Sequence, residues 1–143
     1  MDQRKTQKLE NTLKQIQSEK ELKEYIDDPG TLVPYRDFGE YFKSFTSGKN
    51  LAEIIQNSGV ERSYAYQILR GEKERPGRDK VIRLGIAAGM DLNQLTRALE
   101  LSHNEIFYAR RKRDIYLIYA VNHGFSVIET DLFLERNGEK PLE

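Results

Sequence analysis

Apolar residues recur along this chain at spacings of three and four, the period of an α-helix, in short blocks separated by Gly, Pro, Ser and Asp. Leu9, Leu13 and Ile16 mark a thin stripe on a polar helix over residues 2–17. Ser18 with Glu21 is a capping-box pair, so a second helix starts there, carries Leu22, Tyr25 and Ile26, and stops at Asp27-Asp28-Pro29-Gly30. Residues 31–34 read as an extended linker. Helical spacing returns over residues 35–47 through Phe38, Tyr41, Phe42 and Phe45, aromatic residues that belong to a core at that spacing. The expected fold class is all-α.

The next stretch, LAEIIQNSGVERSYAYQILR from Leu51 to Arg70, organises the chain. Ile54, Ile55 and Ser58 share one side of a first short helix, Gly59 stands where the chain must turn sharply, and Val60 leads back into the core. In the second helix Ala65, Ile68 and Leu69 face inward, which leaves Arg62, Ser63, Tyr66, Gln67 and Arg70 on the opposite side. That outer face is rich in hydrogen-bonding groups. Arg can grip a guanine edge bidentately and Gln an adenine edge, each pair giving about 1–3 kcal/mol of discrimination, while Ser and Tyr suit bases or phosphates.

These residues carry a resemblance. Residues 42–101 resemble the Xre/Cro-type helix-turn-helix family of bacterial transcription regulators, in the motif itself, in the turn RGEKERPGRDKV and in the small-residue helix RLGIAAGMDLNQL that follows. The resemblance implies five helices, the second and third forming the motif, with Arg62, Ser63, Tyr66 and Gln67 reading bases, Glu61 at the helix entrance and Arg70 nearer the phosphates. The chain departs from the family pattern at Leu51, Ile55 and Ala65.

Beyond Gly71 a charged loop contains Pro76-Gly77. Glu72 and Glu74 lie between its bases, so its plain reading is a solvated loop; beside the motif, Lys73, Arg75, Arg78 and Lys80 are expected at phosphates together with Arg70. A helix over residues 78–88 follows, with Val81, Ile82 and Leu84 and with Gly85, Ala87 and Ala88 small enough for close helix approach. Gly89 caps it, and Asp91 with Gln94 opens a helix carrying Leu92, Leu95, Ala98 and Leu99.

The tail repeats the helix–glycine–helix spacing. One helix ends at Asn122-His123-Gly124 and another opens with Ser126 and Glu129 as its capping box. Glu129, Asp131 and Glu135 would lie where phosphates approach, so a structural hairpin is expected, its apolar residues covering the main core or forming a dimer interface. The basic run Arg110-Arg111-Lys112-Arg113 has two readings that stay open: contact with a flanking phosphate, or a solvated helix start. The expected layout is an N-terminal helical arm and linker over 1–34, packing on the main domain or serving dimerisation, a helix-turn-helix domain over 35–101 and a C-terminal helical hairpin over 102–143.

Composition narrows the chemistry. Lys plus Arg and Asp plus Glu both number 23, so DNA attraction must come from a local basic patch. With no cysteine there are no disulfides, thiolate zinc sites or thiol nucleophiles, and the two histidines, His103 and His123, have no metal-ligand spacing. The sequence therefore predicts no catalytic residues, no metal and no cofactor, and the expectation is a non-enzyme. No stretch suits a signal peptide or membrane span, so a cytoplasmic location and no membrane partner are expected. The expected function is a sequence-specific regulator of transcription that binds double-stranded DNA through helix 61–70 as a homodimer; the alternative is a protein–protein adaptor that keeps the scaffold and engages a partner through the C-terminal hairpin.

Overall fold

The computed structural model describes residues 6–28, 35–73 and 75–143. Among them nine helices form and no strand does. Residues 2–5, the Pro29-Gly30 stop, the 31–34 linker and Glu74 lie outside the described residues. The chain divides into two compact units, 1–34 and 35–143.

In the first unit α1 (Thr6–Gln15) is followed by α2 (Glu19–Asp27). Ser18 caps α2 by accepting from the Glu21 N–H, but the reciprocal half differs from the expected box: Glu21 receives the N–H of Gln17 instead. Leu9, Ile16 and Tyr25 line a shared cleft between the helices and are half-buried, whereas Leu13, Leu22 and Ile26 are exposed. None of these stripes is wide enough for an enclosed core.

The second unit holds α3 (Phe38–Phe45), α4 (Leu51–Ser58), α5 (Arg62–Leu69), α6 (Arg78–Ala88), α7 (Leu92–Leu101), α8 (Lys112–Asn122) and α9 (Val127–Arg136). Its starts are chemically marked: Asp37, Asn50 and Asp91 each accept a hydrogen bond from a first-turn N–H, and both Asp91/Gln94 and Ser126/Glu129 complete the reciprocal box. One core runs through all seven helices. Phe38, Phe42, Ile55, Ala65, Ile68, Ile82, Leu95 and Leu99 meet there with Leu117 of α8, Leu134 of α9 and Leu142 of the segment after it. The tail hairpin thus covers the main core, one of the two roles expected for it.

Close packing of α3 on α5 needs Gly39. A Cβ there would come within 2.4 Å of the Ile68 carbonyl oxygen, backbone that has nowhere to go. This fixes the height at which α5 stands above the core. Among the described residues no helix is long and apolar enough to cross a membrane.

Candidate nucleic-acid interface

The turn into α5 is set by Gly59, which adopts φ +72° at the end of α4 and donates its N–H to the Gln56 carbonyl. Ser58, fully buried, accepts the Val60 N–H on its hydroxyl and passes its own proton to the Ile55 carbonyl. This small polar residue satisfies the backbone at the corner, where a larger side chain would force the helices apart. From the corner, Ala65, Ile68 and Leu69 are buried as their spacing predicted.

The opposite face is open. Arg62 and Ser63 are exposed, Tyr66 and Gln67 half-buried, and Arg70 exposed at the C-cap. Arg62 lies over the Tyr66 ring at 5.7 Å, a contact that orients the guanidinium without using its donors. Ser63 reaches the Glu61 carboxylate at 3.4 Å. Arg62 and Tyr66 also line a cleft of about 350 Å³ with Ala52, Ile55, Gln56 and Val60, so the face is a shallow groove between α4 and α5. Glu61 makes no side-chain cap, and the first-turn N–H groups of α5 remain open for water or a ligand.

The basic residues separate into free and committed ones. Arg75 and Lys80 have no ion-pair partner among the described residues, and Lys73 rests over the Tyr64 ring at 5.7 Å. Arg70 pairs with Glu72 at 2.8 Å, both more than half exposed. A surface pair of that kind is worth about 0–1 kcal/mol, so an incoming phosphate displaces it readily. Arg78 is different, and here the structure corrects the sequence-based expectation. Its guanidinium grips Asp114 bidentately at 3.1 Å while its Nε donates to the Glu105 carbonyl, and Asp114 is 1% exposed. Removing one partner of such a buried pair costs about 3–5 kcal/mol, which holds Arg78 as a clasp between α6 and α8 instead of a phosphate contact.

The basic run at the start of α8 has a third role beside the two expected. Arg113 turns inward to Asp79 at 3.1 Å and to the Lys140 and Pro141 carbonyls, and Arg111 pairs with Glu105 at 2.9 Å. Arg110 and Lys112 stay exposed. Tyr64 was not anticipated. Its hydroxyl accepts the Gly77 N–H at 3.2 Å, tying α5 to the loop that carries Lys73 and Arg75. The signal was weak, because Tyr64 falls between the buried and open faces of its helix.

No protein-family model matches the chain, and neither a curated protein nor a solved structure does. Among the described residues no three His, Asp or Glu side chains are grouped to hold a metal ion.

Proposed function

We propose that this chain is a sequence-specific, double-stranded-DNA-binding regulator of transcription whose second unit is a five-helix helix-turn-helix domain of Xre/Cro type, α4 and α5 being the motif. The observation that carries the reading is the division of α5 into a buried side, Ala65, Ile68 and Leu69, and an open side, Arg62, Ser63, Tyr66 and Gln67. A helix so divided is anchored by one face and offers the other to the edges of base pairs in a major groove. Arg70, Lys73, Arg75 and Lys80 follow that helix in the chain and suit phosphates. A homodimer fits this reading because one short helix gives few base contacts and two half-sites double them.

Selection of bound duplexes from a random pool tests the proposal. A palindromic sequence is expected, bound several decades more tightly than its scramble, with log affinity falling by about 0.9 per phosphate neutralised as log salt rises. Enrichment of no sequence, with only weak salt-labile binding left, would overturn it. The adaptor reading draws on a separate observation: Ile115, Tyr119, Ile128 and Leu132 of the tail hairpin are exposed, Ile128 by 70%. On that reading substitutions at these four positions abolish capture of a protein partner, and substitutions on α5 do not.

A further inference from the structure

A second polar cleft, of about 550 Å³, opens at the other end of α5, lined by Arg36, Asp37, Arg70, Gly71, Arg75 and His103. Three arginines and a histidine surround one carboxylate, in a chain whose formal net charge is zero. Asp37 is already engaged: one oxygen caps the Glu40 N–H at 2.9 Å and the other lies 3.4 Å from the Arg36 Nε. Arg75 has no partner among the described residues. Arg36 is 78% exposed and Arg70 holds only a surface pair with Glu72, so both can turn to a ligand at little cost.

A plainer account covers part of this cluster. Arg70 is the C-cap of α5 and His103 follows the C-cap of α7, places where a cation answers the helix dipole. It does not cover Arg36, which precedes α3 and lies 3.4 Å from Asp37 and 4.0 Å from Glu40, or Arg75, which lies in a loop. Nor does it account for the backbone of His103. At φ +60° His103 is, among the described residues, the one non-glycine in the left-handed region; the other six are glycines. Its N–H and that of Asn104 close the end of α7 on the Glu100 and Leu99 carbonyls, a turn that glycine makes without strain. An imidazole kept in a strained position at the rim of a cationic cleft is the kind of outlier that points to a ligand.

We infer that this cleft is an oxyanion site that takes a phosphate group, gripped by Arg36, Arg70 and Arg75 and bounded by His103. Arginine forks match phosphate oxygens bidentately, and Arg70 belongs to both the cleft and the open face of α5. The source that fits is therefore the DNA backbone beside the base-reading helix, an assignment that rests on the proposed DNA-reading function. The alternative source of the same chemistry is a free phosphate compound.

Two arms test it on the full chain. In the first, inorganic pyrophosphate is titrated at constant ionic strength while the two imidazole resonances are followed by NMR, with His123 as the internal control. A saturable shift at His103, absent at His123 and lost in Arg36→Ala, is expected. In the second, Arg36→Ala and Arg75→Ala are each expected to weaken binding of the selected and scrambled duplexes equally and to reduce the salt slope by about 1. A His103 shift with unchanged slopes upholds the site and assigns it to a free phosphate compound. No His103 shift together with unchanged slopes overturns the site. If the chain binds no duplex at all, the DNA-reading function fails on its own, and the pyrophosphate arm alone decides the site.

Discussion

Two segments of this molecule share a layout and differ in chemistry. Counted from Gly59 and Gly124, both glycines with positive φ, the inward residues correspond: Ala65 with Thr130 and Leu69 with Leu134, all four buried. The outward residues do not match in kind. Arg62, Ser63, Tyr66, Gln67 and Arg70 of α5 stand opposite Val127, Ile128, Asp131, Leu132 and Glu135 of α9. In α9 Val127 is buried and Asp131 is held by Arg83 at 3.2 Å and by the Leu142 N–H at 2.8 Å, which leaves an apolar and acidic remainder. The turn and the inward spacing thus specify a helix pair, and the outward residues alone decide what the pair can touch.

The largest effect is expected where the tail hairpin is clasped to α6. Arg78→Ala leaves the Asp114 carboxylate buried with only the Tyr108 N–H and the more distant Arg111, and should lower unfolding free energy by about 3–5 kcal/mol, read from the urea midpoint. If the loss is under 1 kcal/mol, the clasp does not hold the tail. Next comes an exchange that gives α5 the chemistry of α9. Gln67→Leu, the counterpart of Leu132, should reduce discrimination between the selected and scrambled duplexes by about 1–3 kcal/mol while the melting midpoint barely moves. The reverse exchange, Leu132→Gln, should change stability by less than about 0.5 kcal/mol and leave DNA affinity unaltered in a binding titration. A large loss of DNA binding there would erase the contrast between the segments.

The smallest effect is electrostatic. Glu129 is held below its ordinary carboxylate range, first by the Ser126 backbone N–H and then by the Ser126 hydroxyl. With its folded value depressed, this stabilisation of α9 is present in full above the unfolded value and is lost as pH falls through the folded one. Amide protection in the first turn of α9, taken relative to the intrinsic exchange rate at each pH, should therefore fall in acid, and Glu129→Ala should abolish that dependence.

What the sequence made legible follows from how far each interaction reaches. The bounds of α6, residues 78–88, were readable because its apolar spacing and the Gly89 stop are local. The reciprocal caps at Asp91/Gln94 and Ser126/Glu129 span three residues and were readable for the same reason. The pairs Arg78–Asp114, Arg83–Asp131 and Arg113–Asp79 join positions far apart in the chain, and no local pattern marks them. Arg78 therefore looked like one more cation in a basic loop. The segment after α9 was likewise silent, yet Leu142 is buried and its backbone is held by Arg83 and Asp131. At the open face of α5 the sequence placed Arg62, Ser63, Tyr66 and Gln67 together by helical period alone; it missed Tyr64, whose contact depends on where the following loop returns.

The central claim is that the open face of α5 reads bases, and the most direct test compares the duplexes selected by the native chain with those selected by Arg62→Ala. The account predicts that the variant loses a guanine preference at one position in each half-site, by about 1–3 kcal/mol, and keeps the other positions. An unchanged selected sequence, or an equal loss of affinity for selected and scrambled duplexes, would contradict it.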